Sequence, residues 1–587
     1  MNRGENALLM LGMLKRLAEF PRHAFFLALP VPLLVLALAA WLGSARGSFY
    51  LGSNSDPDYV YLLNSLGLLQ GHSPNHTDHP GTPVQAVGAL VAAITYAVSG
   101  SGGLVEDVLA RPEHYLGVLN AVFAAACALT FLVVGLATYS LIRGVLPSTS
   151  PQLLFPAAMM VLMQLMPLLA VSDMLALTVV RPEPWLMCLS MALGVVLLGL
   201  LAEPARMESA KTGKWLGVIV GVGVAAKVTF LPLALIPLVV LRGRWPRVAF
   251  VMWTVLALFI SLIPILPRAR QVARWFVHLA FRKGAYGSGD PGLIETSSIL
   301  PGLKLLAPAE PVFLATLALC WLVLLVLWIK WRVACHRGAS FQPDRGADAG
   351  RRQAQQSRTD SWHKAGLSVL LALCIAGLAQ FLFAAKRPVP HYMLPAFSLM
   401  GAQVVVVLCL LGRAALDRAR NEAAPVSARG KLFLLSFSVL VLCAAVFAGR
   451  EAWRQHERMA RQRDVLLALE RESAEAVRRG RTVCYYRCSS PVYALNFGNE
   501  FCGRFFAEAL AKNHPDALFY DAWKRDFNSF HGLVSREEIL KRLASGPLFL
   551  WGSAWETYPP EARPPELNFQ ARSAAGQEVL YQAVPAR

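Results

Sequence analysis

The sequence predicts an α-helical polytopic membrane protein of about eleven spans with a small C-terminal α/β domain outside the membrane. Three observations predict it. Of 587 residues, 55% are hydrophobic and only 16% charged, with a mean hydropathy of +0.46; soluble domains carry about a quarter charged residues. Long charge-free runs follow one another as far as Gly449. Each is near the ~20 residues a helix needs to cross a bilayer, and in lipid the backbone can bond only to itself. Beyond Arg450 the charge returns and the runs become short and strand-like.

The net charge of +19 does not mark a nucleic-acid binder. Most of the basic residues lie in loops between apolar runs, which is the topology signal of membrane proteins. Most of the ten cysteines stand singly inside apolar runs, as small core residues do. Cys484, Cys488 and Cys502 lie in the tail and allow one disulfide with one thiol left over.

Residues 1–23 carry Arg3, Lys15, Arg16 and Arg22 and are expected in the cytoplasm. Ala24–Leu42 is longer than a signal-peptide core and reads as an uncleaved first span. Residues 24–449 form the membrane domain. The loop 44–114 is placed outside, with two basic residues against six acids, and Val84–Val98 within it reads as a helix along the membrane surface. Tyr115–Ile142, Pro151–Val171 and Pro184–Ala202 read as the next spans. Trp215–Leu241, interrupted by Lys227 and Pro232 and basic at both ends, reads as two half-helices going out and back. Lys227 is then expected near the outer side; an intramembrane lysine is costly and usually paired or functional. Val248–Pro267, Pro311–Ile329, Ala365–Ala385, His391–Gly412 and Leu432–Gly449 complete the spans. The tail, 450–587, is placed outside (periplasmic in an inner, plasma membrane). It opens with a charged helix, Glu451 to Arg479, followed by strands at Thr482–Tyr486, Leu548–Trp551 and Glu578–Val584.

Two outer loops break the positive-inside rule, around Arg274–Lys283 and Lys386–His391. A lipid phosphate at the boundary gives such clusters a partner, as do ordinary anionic headgroups. Asp56-Pro57-Asp58 follows the first span. Either acid fits a general base for a hydroxyl, and either fits a helix N-cap. Asp173 and Glu183, the latter in Arg181-Pro182-Glu183, are candidates for a second carboxylate, as well as for a loop salt bridge. Phe281-Arg282-Lys283-Gly284 opens a Gly-rich stretch suited to close over a headgroup, or simply to form a surface loop. His72, His76, Asp78 and His79 lack the spacing of a zinc site. No metal site is assigned and no cofactor is required, though Asp56 and Asp78 leave room for loose help from a divalent cation.

Together these stretches resemble the type C (GT-C) glycosyltransferases, polytopic enzymes that use polyprenyl-phosphate sugars and include the protein mannosyltransferases and the lipid A aminoarabinose transferases. The resemblance is carried by Asp56-Pro57-Asp58-Tyr59 after the first span and His79-Pro80-Gly81 later in that loop. It continues in Gly221-Val222-Gly223-Val224-Ala225-Ala226-Lys227 in an interrupted span and His391-Tyr392-Met393-Leu394-Pro395-Ala396 opening a late one. It covers Ala24 to Gly412. It implies that Asp56 or Asp58 engages the acceptor or serves as the catalytic base, and that Lys227, Lys386, Arg387 and His391 lie near the donor phosphate. The reading of the residues adds Asp173, Glu183 and His79 as candidates on the acceptor side and Arg282 and Lys283 as candidates for the donor phosphate. The expected reaction is inverting transfer of a sugar from a polyprenyl-phosphate donor to an acceptor hydroxyl on the outer face, the acceptor (glycan, lipid or protein) being open. The competing classes are a lipid-linked glycan flippase, which calls for broken helices near mid-membrane and repeated halves, and a non-catalytic envelope assembly protein.

Overall fold

The structure, a computed structural model, describes residues 22–51, 58–77, 81–145, 154–282, 294–336, 349–421, 426–479, 481–521, 524–554, 563–565 and 567–585. Asp56, Asp78, His79 and Lys283 lie outside the described residues, as does the Gly-rich stretch 284–289.

The chain is mostly helical. Among the described residues, eight helices are long and apolar enough to cross a membrane, against the eleven or so expected. Two of the differences are breaks in expected spans. The run ending at Val171 is cut short: a helix Leu154–Leu165 passes into a 3-10 turn, Met166–Leu169, at Pro167. Trp215–Leu241 is interrupted as expected, between the helix Ala210–Ala226 and a 3-10 turn over Val228–Ala234 that ends in the short helix Leu235–Val240. Prolines 232 and 237 deny backbone donors to a regular helix there. The last span and the tail helix are one helix of 53 residues, Val426–Arg478, because nothing between Leu432 and Arg479 stops it except Gly449, which a helix tolerates. The stretch read as a surface helix, Thr82–Ser99, is itself long and apolar enough to span.

The elements that carry the site are α1 (Pro30–Arg46), α2 (Tyr59–Leu69), α3 (Val171–Ala176), α4 (Glu183–Ala202), α5 (Ala210–Ala226), α6 (Arg244–Leu262), α7 (Ala269–Phe281), α8 (Ala349–Ala384) and α9 (Val426–Arg478). α5 and α6 pack backbone to backbone. A Cβ on Gly213, Gly217 or Gly221 would meet α6 backbone oxygens at 2.1, 2.5 and 2.5 Å. Small residues one turn apart let membrane helices approach this closely, and dispersion between the two backbones stands in for the hydrophobic drive that lipid removes.

The tail forms a seven-stranded sheet in the order β4-β3-β2-β1-β5-β7-β6. Its strands are β1 (Val483–Tyr486), β2 (Leu518–Asp521), β3 (Asp526–Ser529), β4 (Gly532–Val534), β5 (Leu548–Ser553), β6 (Leu567–Ala575) and β7 (Glu578–Pro585). β1 pairs in parallel with β2 and β5, and the outer pairs are antiparallel. All three expected strands are present. The described cysteines are all free thiols, so Cys484, Cys488 and Cys502 form no disulfide. Burial raises all three above the usual thiol range. The buried Glu578 carboxylate is satisfied by the Ser489 N–H and hydroxyl and by the Trp551 indole.

The tail is not a loose appendage. Gly498 lies against the Tyr59 carbonyl, where a Cβ would sit 2.9 Å away. His72 stacks on Phe505 at 4.0 Å, and Asn64 reaches the Phe501 carbonyl. α9 runs along α1, with His456 stacked on Trp41 at 4.3 Å and Arg463 donating to the Ser44 carbonyl.

Candidate active site

A cavity of about 530 Å³ opens where several spans end. Its walls carry Arg46, Asp58, Arg181, Glu183, Glu310 and His391, and α9 closes it from above. The α9 residues involved are Glu451, Gln455, Arg458, Met459, Gln462, Arg463 and Leu466. Their spacing of three or four is one face of a helix. The continuity of α9 therefore makes the tail a wall of the site.

Asp58 stands just before α2, but its side chain makes no cap bond there. The N-cap alternative is thus not realised at this residue. Its carboxylate serves a distant segment instead. One oxygen accepts from the Val180 N–H at 2.7 Å and from Arg181 Nε at 3.3 Å; the other lies 3.7 Å from Arg46. Arg46 also donates to the Thr178 carbonyl and lies over the Phe49 ring. Glu113 completes this corner by accepting from the Phe49 N–H and the Tyr59 hydroxyl.

Glu183 opens α4 between Pro182 and Pro184. Its Oε1 accepts from Lys227 Nζ at 2.6 Å, and the two side chains are 9% and 2% exposed. Lys227 is extended (φ −161°) at the break after α5 and lies 5.0 Å from the Tyr392 ring. His391 lies edge-on to that ring and half-buried at the cavity wall. Gln380 of α8 holds the arrangement: its amide donates to the Thr229 carbonyl after the break and to the Tyr392 carbonyl. The structure thus brings together three of the stretches flagged in the sequence, at Glu183, Lys227 and His391, with Asp58 on the same cavity.

The remaining candidates lie elsewhere. Asp173 is fully buried and accepts from the Ser398 hydroxyl; it does not line the cavity. Lys386 is buried and donates to the Leu279 carbonyl in the last turn of α7, tying that helix to the end of α8. Arg282 and Arg387 are exposed and away from the cavity wall. Among the described residues, no three His, Cys, Asp or Glu side chains gather to hold a metal ion.

Sequence reasoning did not single out Arg46, Glu113, Glu310, Gln380 or the α9 face. Glu310 accepts from the Val171 and Ser172 N–H groups and the Ser172 hydroxyl, capping α3 across the cavity. Its one sequence signal was an acid at the threshold of a span, Glu310-Pro311.

No family model matches the chain, and no curated protein matches it. Among solved structures, the chain is similar to the crystal structure of ArnT from Cupriavidus metallidurans bound to undecaprenyl phosphate. Identity is 14% and the TM-score 0.45, over 94% of this chain and 97% of that one. The apo form of the same protein matches over the same shares at 14% identity, with a TM-score of 0.41. What the cavity can do follows from its own groups. It offers an ion-paired carboxylate with one oxygen to spare, a second carboxylate held by two arginines, a histidine, and a polar helix face large enough to meet a sugar-sized ligand.

Proposed function

We propose that this chain is a membrane glycosyltransferase that moves a sugar from a polyprenyl-phosphate donor to an acceptor hydroxyl at the outer membrane face. The observation that carries the reading is the buried Glu183–Lys227 pair beside His391, on the same cavity as Asp58. Burying a charge pair among apolar helices is expensive and gains little stability over apolar side chains of similar size. Its position at a cavity rimmed by span ends gives it chemical work. A lipid-linked sugar has its tail in the bilayer and its phosphate at the boundary, which is where such a cavity meets it. Transfer then proceeds by in-line attack of the acceptor oxygen on the anomeric carbon with inversion. A carboxylate receives the hydroxyl proton, and the cations of the site face the charge that gathers on the departing phosphate. Asp58, held between Arg46 and Arg181, fixes the wall on which these groups sit.

The test is transfer itself. Purified full-length chain in nanodiscs, given radiolabelled polyprenyl-phosphate hexose or pentose and a total envelope-glycolipid extract, is expected to move label onto the extract. Lys227→Ala is expected to weaken donor use most. If no polyprenyl-phosphate sugar is consumed, the enzyme reading is wrong. One feature favours a second reading: the helix break at Lys227 is of the kind on which membrane transporters build their binding sites. A flippase would carry fluorescent lipid-linked glycan across sealed vesicles while leaving the glycosidic bond intact.

A further inference from the structure

Asp58 and Glu183 both line the cavity, but their oxygens are engaged to different degrees. Asp58 is 1% exposed, with one oxygen on the Val180 N–H and Arg181 and the other facing Arg46. The first oxygen must lose a partner before it can take a proton, and a proton on the second would stand beside the Arg46 guanidinium, 3.7 Å away. Glu183 has one oxygen on Lys227, while Oε2 is buried with no hydrogen-bond partner among the described residues. The residue is 7% exposed and belongs to the cavity wall. A buried acceptor left without a donor costs stability, and a hydroxyl brought in by a substrate would satisfy it.

From this contrast we infer that Glu183, rather than Asp58, takes the proton from the acceptor hydroxyl. The inference rests on the glycosyl-transfer reading above. In the step, the acceptor O–H bond breaks and its proton goes to Glu183 Oε2. The acceptor oxygen bonds to the anomeric carbon. The bond from that carbon to the phosphate oxygen breaks, and its electron pair stays on the phosphate. Proton uptake neutralises the partner of Lys227 at the moment the leaving phosphate gains a negative charge. The ammonium is then free to answer the phosphate, so one ion pair serves both ends of the reaction. Lys227, His391 and Arg181 are the charged or titratable groups facing Glu183. All three are cations or potential cations, and they surround the place where the phosphate charge develops. Gln380 acts as a positioning residue, because it fixes the backbone just after the lysine and just after the histidine.

The experiment compares Glu183→Gln, Glu183→Asp, Asp56→Asn and Asp58→Asn in the full-length chain in nanodiscs. The substrates are those of the transfer assay, and undecaprenyl phosphate binding is measured separately. Glu183→Gln is expected to lower kcat by roughly 10²–10⁴-fold, the usual contribution of a general base, with donor KM no higher and undecaprenyl phosphate affinity undiminished, since the freed Lys227 ammonium still faces the phosphate. Its residual rate should lose the fall in kcat toward low pH that protonation of the base produces in the wild type. Glu183→Asp keeps the charge and the ion pair while withdrawing the oxygen by one methylene; it should fold as the wild type does and show an intermediate loss. Asp56→Asn and Asp58→Asn should keep the acid limb. The inference is overturned if Glu183→Gln transfers at the wild-type rate. It is equally overturned if its loss of kcat is matched by loss of undecaprenyl phosphate binding, or if the acid limb disappears with either aspartate variant and survives in Glu183→Gln. A wild-type chain that consumes no donor would instead sink the glycosyl-transfer reading.

Discussion

Lys227→Met leaves the Glu183 carboxylate in a site where that residue is only 7% exposed and its former partner 2%. With Nζ and Oε1 at 2.6 Å, both groups have given up most of their hydration for each other. Removing one member of such a pair costs about 3–5 kcal/mol, because the remaining charge is stranded. Glu183→Gln strands the ammonium and should cost about as much. The double variant, Glu183→Gln with Lys227→Met, removes both charges at nearly constant volume and should return to within about 1–2 kcal/mol of the wild type. A double-mutant cycle on unfolding free energies in detergent would then give a coupling of several kcal/mol, well above the ~0.5 kcal/mol within which independent sites add. Single variants each costing under ~1 kcal/mol and adding in the double would be the behaviour of a solvated pair. That result would refute the buried, desolvated geometry, and with it the argument that this pair is retained for chemistry.

Two further outcomes follow from the fold. Gly217→Val is expected to separate α5 from α6, since even its Cβ would stand 2.5 Å from the Phe250 carbonyl oxygen, about 0.9 Å inside ordinary contact. Overpacking of this kind costs typically 1–3 kcal/mol, read as a lower unfolding temperature, whereas Gly117→Ala, with open space around it, should leave that temperature unchanged. Asp107, bonded by Arg111, Tyr115 and Ser101, is held down to about 2 from an ordinary value near 3.8, chiefly by the Arg111 hydrogen bond. A depressed carboxylate stabilises the fold above its unfolded value and loses that contribution as pH falls through its folded one. The thermal deficit of Asp107→Asn should therefore be constant from neutral pH down to about pH 4 and shrink between there and about pH 2; a deficit that varies near neutrality would contradict this.

The fold class was legible because lipid permits so little else: long uncharged runs must be helices, and three of the tail's seven strands announced themselves by β-branched and aromatic runs, while β2, β3, β4 and β6 did not. Span count was less legible. Pro167 shortens a run whose composition alone reads as a full crossing, and Thr82–Ser99, part of which reads as a surface helix, is long and apolar enough to cross. The candidate site was legible where one residue is anomalous in its surroundings, as Lys227 is among glycines and alanines and Glu183 is between prolines. It was illegible where the partner is remote. Glu310 meets residues 138 and 139 positions away, and Asp58 meets Val180 across 122. The α9 face was hidden for another reason. Its residues read as an ordinary charged tail helix until the helix is known to continue from a span and to lie over the cavity.

The break at Lys227 and the close packing of α5 belong to one physical arrangement. Glycines 213, 217 and 221 let α5 lie against the α6 backbone, so α5 is held by dispersion rather than by side chains that would otherwise fill the gap. A helix fixed in that way can end abruptly. Its last carbonyls still find donors, as the Lys227 N–H does for Gly223, and the 3-10 turn that follows is pinned by Gln380. The lysine at the break then projects from an end, not from the middle of a span, and meets Glu183 at the start of α4. Four charged groups at or beside the cavity sit at such ends: Arg46 closes α1, Asp58 precedes α2, Glu183 begins α4 and Lys227 follows α5. Lipid tolerates charge only at the ends of spans or inside protein. Converging span ends beneath a helix from the tail therefore lets the molecule hold opposite charges close together, shielded from water and from lipid alike.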